Sequence, residues 1–397
     1  MFTMRHLLGV FFSCVVMAAW LGGSTEAQVQ PAGLHQTTIK GLAAIAGPDG
    51  VYHGKAIGII ATPSDSGKVR LVGTTDREMQ IAMEEAIRLV KLRHPDVQKQ
   101  GIEISFTDKY STNDGGSAGT AIALVVLSAY GDFALNPDAA ITGDITVDGK
   151  VQSVGAVAAK VHGAALDHMA IVAIPAADTA QIEDAILLDG SPVLWEIPIF
   201  SLDTLDDAIA ITRKDPDPKL AQAIKAFADL KLVYGSKPVE TLKDGDGAAK
   251  LTEILNLAPN FVSVKELQQL AAGNTPKTLS LIASVQQAFA ALGPTRMGLT
   301  GGVGRGGQPV SDEDQAKVHK NLDRVKEISD PAAAPLFGPL NDFVDSYVKF
   351  ANIPGGAAGA GDRIKLRQEV RSRQSAIQSA LEAIISDSKT VDKLLHG

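Results

Sequence analysis

A serine between glycines, at the start of an apolar stretch, is the first residue whose setting suggests chemistry. Ser117 stands in the run Asp114-Gly115-Gly116-Ser117-Ala118-Gly119, and the residues after it predict a buried helix over about 117–130. Its hydroxyl would share the end of a helix with N–H groups that have no intrahelical acceptor, and such groups can stabilise an oxyanion. Ser117 is therefore a candidate nucleophile, provided that a base accepts its proton.

The candidate base is Lys160, which lies among apolar residues of a second predicted helix over about 154–166. An amine activates a serine only when it is uncharged near neutral pH, and apolar burial can lower the pKa of a lysine by several units. The residues alone leave a structural alternative open. In that alternative Ser117 is an ordinary N-cap and Lys160 is a solvated helix lysine.

The run from Gly115 to Gly119 also fits the Gly-x-Ser-x-Gly nucleophile elbow of α/β-hydrolases. That elbow follows a buried strand directly, whereas a polar loop precedes Ser117 here. A hydrolase triad would also need a histidine, and the histidines that follow the serine are His162, His168, His319 and His396. None has a compelling setting, and His162 and His168 are interpreted as surface or packing residues.

The sequence predicts no bound cofactor and no metal. It contains no Gly-x-x-x-x-Gly-Lys-Ser/Thr loop, since Gly54-Lys55-Ala56 lacks both the spacing and the hydroxyl. The glycine-rich run from Gly302 to Gly306 follows no predicted strand, so it is interpreted as a flexible loop and not as a phosphate cradle. No His-Glu-x-x-His or similar metal-binding spacing occurs.

Composition is typical of a globular protein with room for two domains: 397 residues, 45% hydrophobic and 21% charged. The formal net charge of -8 provides no basic surface for nucleic acid, and we expect no such partner.

Residues 1–27 have the pattern of a secretory signal peptide, with an apolar core from Leu7 to Leu21 and small residues before Gln28. That core is shorter than the roughly 20 residues of a membrane-spanning helix. We therefore expect a periplasmic or secreted protein, with an uncleaved N-terminal anchor as the lesser alternative. The only cysteine, Cys14, falls in this segment.

The region up to residue 212 is predicted to be of mixed α+β type. Further helices are expected near 76–93, 179–187 and 202–211, and strands near 37–45, 56–61, 102–106, 169–174 and 193–200. Two tight turns are predicted, at Gly47-Pro48-Asp49-Gly50 and at Asp148-Gly149, and a hairpin-like pair is expected toward Val69 to Val72.

Residues 213–218 contain Asp215-Pro216-Asp217-Pro218, which marks a linker. Residues 219–397 are predicted to be helical, with glycine-rich joints at 298–307 and 355–361. The predicted helices are 220–231, 248–257, 264–272, 279–292, 311–328, 336–351 and 363–395.

The ordered motifs of the first region resemble the proteolytic domain of the Lon proteases, a family with a Ser–Lys dyad. Four segments are similar to family motifs: Asp114 to Gly119 (Asp-Gly-Pro-Ser-Ala-Gly), Thr142 to Thr146 (Thr-Gly-Glu-x-Thr), Gly149 to Lys160 (Gly-x-Val-x-x-Ile-Gly-Gly-Leu-x-x-Lys) and Val172 to Pro175 (Val-Leu-Ile-Pro). The resemblance covers roughly residues 37–212.

The resemblance implies that Ser117 is the nucleophile, Lys160 the general base and Thr142 the hydroxyl partner of the lysine. Asp114 and Gly116 are the implied supporting residues of the serine loop.

Three residues depart from the family pattern: Gly116 replaces a proline, Asp144 a glutamate and Ala156 a glycine. None of these changes removes the dyad. Lon proteases also carry an ATPase domain, for which the sequence shows no phosphate-binding loop.

The expected fold is thus an α+β Lon-type proteolytic domain at 37–212, followed by an all-α domain at 219–397. The expected function is an exported serine endopeptidase that works without ATP on flexible or unfolded polypeptides. The alternative is a catalytically inactive Lon-like binding or scaffold module. Assembly into a homo-oligomer through either domain is left open.

Overall fold

A computed structural model describes residues 35–46, 52–95, 101–108, 115–243, 245–300, 309–353 and 360–386. Several predicted features lie outside the described residues: the signal peptide at 1–27, the turn at 47–50, Asp114, the glycine-rich stretches 301–307 and 355–359, and residues 387–395 of the last helix.

Seven strands form one mixed sheet in the order β3-β4-β2-β1-β5-β8-β9, and β6 and β7 form a small antiparallel pair. The strands of the described residues are β1 Thr37–Ala46, β2 Tyr52–Ser64, β3 Val69–Val72, β4 Gly101–Phe106, β5 Ala139–Ile141, β6 Asp144–Ile145, β7 Val151–Gln152, β8 Ile171–Pro175 and β9 Ile199–Leu202. The pairs β1–β2 and β2–β4 are antiparallel. The pairs β1–β5, β5–β8 and β8–β9 are parallel, so β5 and β8 end at the same edge of the sheet.

Six helices accompany the sheet: α1 Arg77–Arg93, α2 Gly119–Ala129, α3 Val157–Leu166, α4 Ala180–Asp189, α5 Pro192–Glu196 and α6 Leu205–Thr212. The helices that follow are α7 Pro218–Tyr234, α8 Asp246–Leu257, α9 Val262–Ala271, α10 Leu281–Ala290, α11 Met297–Thr300, α12 Asp312–Ile328, α13 Ala334–Ala351 and α14 Ala360–Ser386. None of the helices in the described ranges combines the length and the apolar character needed to cross a membrane.

Helix α2 is the central helix of the first region. Each of its residues is buried, which agrees with a sequence that is apolar on all sides. It packs against α1 on one side and against β1 and β2 on the other. Neighbours on several sides hold the start of this helix, which directly follows the turn that contains Ser117, in a defined position.

The expected fold class is confirmed, but two local predictions were wrong. The predicted strand at 193–200 begins as α5, with Pro192 in the first helical turn, and the strand proper is Ile199–Leu202. A short apolar run does not by itself distinguish a buried strand from a buried helix. The expected hairpin-like pair toward Val69 does not form, because β3 pairs in parallel with β4.

The hydrophobic side chains form two cores. The first contains the sheet and extends through α9 to Ala271, whereas the second contains side chains from Leu281 to Ile384. Helices α7 to α9 therefore pack on the first core, and the rings of Phe200 and Phe261 lie 4.2 Å apart between their centroids. The linker at 213–218 stays a prediction, although hydrophobic packing continues across it.

Candidate active site

Ser117 lies in a short 3-10 turn, Gly116–Ala118, that leads directly into α2. The residue before this turn, Gly115, donates its N–H to Oδ2 of Asp76 at 2.9 Å. The other oxygen of Asp76 caps α1 by accepting the N–H of Met79 at 2.7 Å. One carboxylate thus ties the loop ahead of the serine to the start of a neighbouring helix.

Ser117 is not the N-cap of α2, so the alternative of a purely structural serine was wrong in this respect. Ala118 occupies the N-cap position, and no side chain caps either the 3-10 turn or the helix. In the first turn of α2, the N–H of Thr120 donates to the carbonyl of Gly143 at 3.0 Å. The serine hydroxyl is therefore not used to cap the helix it precedes.

Lys160 lies on α3 with only 3% of its surface exposed. Its Nζ donates a hydrogen bond to Oγ1 of Thr142 at 3.0 Å. Burial lowers the pKa of Lys160 to about 8, while the negative charge of Asp178 acts in the opposite direction. The alternative of a solvated helix lysine was wrong.

Thr142 connects the lysine to the serine loop. It follows β5, is fully buried, and its N–H donates to the carbonyl of Ala173 on β8 at 3.1 Å. Its hydroxyl lies 3.5 Å from the carbonyl oxygen of Ser117, and the N–H of Gly143 donates to the same oxygen at 3.0 Å. The structure thus brings Ser117, Thr142 and Lys160 together around one hydroxyl, and their catalytic roles stay a prediction.

Two of the residues that depart from the family pattern, Gly116 and Asp144, lie next to each other in the structure. A Cβ atom on Gly116 would lie 2.9 Å from Oδ2 of Asp144, and one on Gly119 would lie 2.6 Å from Oδ1. The Asp144 carboxylate therefore lies against the backbone on both sides of Ser117. Burial is the main cause that raises the pKa of Asp144.

Helix α3 packs directly on β2 at two glycines. A Cβ atom on Gly54 would lie 1.9 Å from the carbonyl oxygen of Ala159, and one on Gly163 would lie 2.1 Å from the carbonyl carbon of Gly54. Such distances exclude any larger residue. Gly54 thus allows β2 to pack closely against Ala159, the residue before Lys160.

The sequence analysis missed two polar residues, Asp178 and Gln181, that hold the segment leading into α3. Asp178 accepts hydrogen bonds from Ser153 Oγ and from Val154 N, and Gln181 accepts one from Val157 N. They come shortly after β8, a strand that was predicted from its apolar residues. Polar residues just beyond a buried strand were the signal that could have revealed them.

The two histidines interpreted as surface residues, His162 and His168, are exposed. His319 lies half-buried on α12 and bonds Asp345 at 2.9 Å, while His396 lies outside the described residues. Among the residues that the structure describes, no three His, Cys, Asp or Glu side chains are grouped in a way that could hold a metal ion.

The fold agrees with what comparison with known proteins shows. Residues 54–210 match the model of the Lon protease (S16) C-terminal proteolytic domain. This part of the chain is thus similar to the Lon-type proteolytic domain, which confirms the resemblance seen in its motifs.

Archaeal Lon proteases are among the relatives. That of Thermoplasma volcanium is 28% identical over 222 residues, which cover 53% of this chain and 33% of the relative. That of Thermococcus kodakarensis is 26% identical over 201 residues, which cover 50% and 31%. That of Methanocaldococcus jannaschii is 34% identical over 110 residues, which cover 28% and 16%.

The chain thus spans about a third of the length of the first two relatives. These similarities support a serine peptidase in general terms, and the match to the family model covers Ser117, Thr142 and Lys160.

Proposed function

We propose that this protein is a serine endopeptidase in which Ser117 is the nucleophile and Lys160 the general base. The observation that carries the proposal is the buried amine of Lys160. It is hydrogen-bonded to Thr142, whose hydroxyl lies within 3.5 Å of the Ser117 carbonyl oxygen. An amine with a pKa of about 8 is uncharged in about one tenth of the molecules at pH 7, which suffices for a general base.

In the first half of the proposed reaction, neutral Lys160 takes the proton of Ser117 Oγ as this oxygen attacks the carbonyl carbon of the substrate. The hydrogen bond to Thr142 uses one N–H of the amine and limits the directions in which its lone pair can point. Backbone N–H groups near Ser117 stabilise the oxyanion that forms, whereas those of Gly119 and Thr120 already donate to the carbonyls of Gly116 and Gly143. The intermediate collapses when the leaving amine takes the proton from the Lys160 ammonium, and an ester of Ser117 remains.

In the second half, Lys160 acts as base again and takes a proton from a water molecule that attacks the ester. The acid product leaves, and the proton returns to Ser117 Oγ. Because the lysine exchanges a proton with each partner in turn, it must be able to change charge within the folded protein. A lysine with an ordinary pKa of 10.5 would be charged almost all the time at neutral pH.

The substrates we propose are flexible or unfolded polypeptides, cleaved without ATP. The sequence has no Gly-x-x-x-x-Gly-Lys-Ser/Thr loop, so it offers no motif for the energy-driven unfolding of folded substrates. We also propose that the protein is exported, on the basis of the signal-like residues 1–27. Self-association through the proteolytic or the helical domain remains part of the proposal.

The second candidate function is an inactive Lon-like scaffold, and one observation favours it. The Asp144 carboxylate lies against the backbone on both sides of Ser117. A negative charge there would oppose the negative charge that develops on the substrate oxygen during attack. Burial raises the pKa of Asp144 and thereby weakens this effect.

Cleavage of casein, an unfolded protein, by the purified protein without ATP tests the proposal. Ser117→Ala is expected to reduce turnover by at least about 10³-fold, and Lys160→Ala by about 10²–10⁴-fold. Matched controls are Ser128→Ala, which changes a buried serine at the far end of α2, and Lys150→Ala, which changes an exposed lysine. Both controls should retain wild-type turnover.

Equal turnover by the wild type, Ser117→Ala and Lys160→Ala would exclude the dyad. Absence of turnover in all of them, with folding intact by circular dichroism, would favour the scaffold.

A further inference from the structure

The start of α3 is unusual for a helix whose fourth residue is Lys160. Its N-cap, Ala156, has a left-handed conformation with φ of 59°, and its side chain provides no capping hydrogen bond. A non-glycine residue in this conformation needs support from its surroundings. What supports the start of α3 therefore also determines where the Lys160 amine lies.

That support comes from residues that follow β8. Asp178 is only 3% exposed and lies in a 3-10 turn directly after this strand. Its Oδ1 accepts a hydrogen bond from Ser153 Oγ, and its Oδ2 accepts one from Val154 N at 2.8 Å. The carboxylate thus anchors the segment between β7 and α3.

Gln181 supports the same segment with both ends of its amide. Its Oε1 accepts the N–H of Val157, the first residue of α3, at 2.9 Å and so takes the place of a side-chain cap. Its Nε2 donates to the carbonyl of Val154 at 3.1 Å and to Oδ1 of Asp178 at 3.2 Å. Asp178 and Gln181 form one connected network on residues 153–157.

Strand β8 links this network to the other side of the site. Ala173 on β8 accepts the N–H of Thr142, and Asp178 follows the end of the same strand. The strand therefore holds the hydroxyl partner of Lys160 at one point and the anchor of α3 at another. This arrangement explains how α3 directs its lysine toward Thr142.

Asp178 also acts on Lys160 through its charge. Its carboxylate raises the pKa of Lys160, against the larger lowering by burial, and Lys160 in turn lowers the pKa of Asp178. Burial is the largest influence on Asp178 and raises its pKa, while hydrogen bonds from Ser153, Val154 and Gln181 act in the opposite direction.

We propose that Asp178 and Gln181 are positioning residues for the Lys160 amine, an inference that rests on the proposed function. The two side chains fix residues 153–157 and with them the start of α3. Asp178 in addition places a negative charge near the amine. Neither residue is proposed to contact the substrate.

The first test is Asp178→Asn, which keeps the shape of the side chain and removes its charge. The negative charge of Asp178 stabilises the protonated form of Lys160. Without it, the pKa of Lys160 falls further. The rise of kcat/KM with pH is then expected to move to lower pH by on the order of 1 unit. The maximal kcat is expected to fall about tenfold, because the segment before α3 is held less firmly.

The second test is Gln181→Met, which removes the hydrogen bonds of the amide and leaves the charge of Asp178 in place. We expect kcat to fall about tenfold while KM and the pH at which activity rises stay unchanged. Gln181→Met thus tests only the position of the lysine amine, whereas Asp178→Asn also tests the effect of the nearby charge on its pKa. If Asp178→Asn fails to fold by circular dichroism, Gln181→Met alone decides the positioning role.

A measurement without substrate separates this inference from the proposed function. Titration of the Lys160 side chain by NMR of ¹³Cε-labelled lysine, assigned with Lys160→Met, gives its pKa directly. We expect a lower value in Asp178→Asn than in the wild type even if the protein cleaves nothing. Absence of serine-dependent cleavage would refute the proposed function and leave this titration interpretable.

The matched control is Asp184→Asn. Asp184 is also 3% exposed and also accepts two hydrogen bonds, but from Ser280 at the start of α10. Its replacement should leave both the pKa of Lys160 and the pH profile unchanged. An unchanged Lys160 pKa in folded Asp178→Asn, or wild-type kcat in Gln181→Met, would overturn the corresponding part of the proposal.

Discussion

Buried polar side chains occur in both hydrophobic cores, but among the described residues the buried Lys, Asp and Glu side chains lie on elements of the first core, and the buried polar ones of the second core are serines and threonines. In the second core and at its edge, three hydroxyls donate to carbonyl groups of their own turn: Ser284 to Ser280, Thr295 to Leu292 and Ser329 to Val325. Two longer-range bonds occur there as well, from Ser346 to Glu369 and from the N–H of Asp330 to Ser284. In the first core, Lys160 bonds Thr142 across 18 residues, and Asp178 bonds Ser153 across 25.

Some of these polar groups therefore find a hydrogen-bond partner within their own helix or turn. Others, such as Lys160 and Asp178, find one only when distant segments of the chain pack together. A hydroxyl bonded to a carbonyl one turn earlier needs no tertiary contact. A buried amine costs free energy unless distant residues provide partners. The buried amine of Lys160 and its partner Thr142 lie in the region that matches the Lon-type domain, and this is where we expect the function.

The sharpest test of this comparison is Lys160→Met, which replaces the buried amine with an apolar chain of similar length. If the amine is the general base, kcat/KM for casein should fall by about 10²–10⁴-fold, the range for loss of a general base. Lys150→Met, on the surface, is the control. Retained activity in Lys160→Met would show that the buried amine is not the general base.

Activity should also depend on pH through the same amine. Because neutral Lys160 is the active form and its pKa is about 8, kcat/KM should fall about tenfold per unit as the pH drops below 8. Rates measured between pH 5.5 and 9.5 with a neutral peptide substrate would show this. A profile that is flat between pH 6 and 8 would contradict the assigned base.

Thr142→Val should reduce kcat by about 10–100-fold, because the methyl group keeps the volume but cannot bond the amine. KM should change little, since the hydroxyl is not proposed to bind substrate. Thr212→Val is a matched control: Thr212 is fully buried and bonds the carbonyl of Ala208 on its own helix. An equal loss of kcat in both variants would show that the effect is only structural.

The stability of Lys160→Met provides the complementary test. Lowering the lysine pKa from 10.5 to about 8 corresponds to a cost on the order of 3 kcal/mol below pH 8, so the variant should unfold with a larger free energy at pH 7 by about 1–3 kcal/mol. The unfolded state binds more protons between pH 8 and 10.5, so wild-type stability should rise with pH in that window. Urea unfolding at pH 7 and pH 10 measures both effects, and a less stable variant at pH 7 would contradict them.

The smallest effect is expected in the second core. Ser284→Ala removes a hydroxyl that bonds Ser280 O and accepts the N–H of Asp330 at 2.8 Å. We expect a loss of about 1 kcal/mol in the free energy of unfolding and no change in kcat/KM. A large loss of activity here would show that the second core contributes to the site after all.

Much of the site could be predicted because its motifs are local. Ser117 and Lys160 each lie at the start of a predictable helix, and the Asp148-Gly149 turn marked the β6–β7 pair that follows Thr142. The mistaken strand at 193–200 and the mistaken pairing of β3 have the opposite cause. A short apolar run does not show which strand it will pair with. Strand β3 pairs with β4, which follows α1 in the sequence.

The sequence by itself determined which residues could form a Ser–Lys site and the order of the elements that carry them, because residue type and periodicity are local properties. Only the tertiary structure decided that Thr142 stands between the two, that Asp178 and Gln181 hold α3, and that Asp144 lies against Gly116. Those contacts join segments distant in sequence, and the burial that lowers the pKa of Lys160 arises only when these segments pack together.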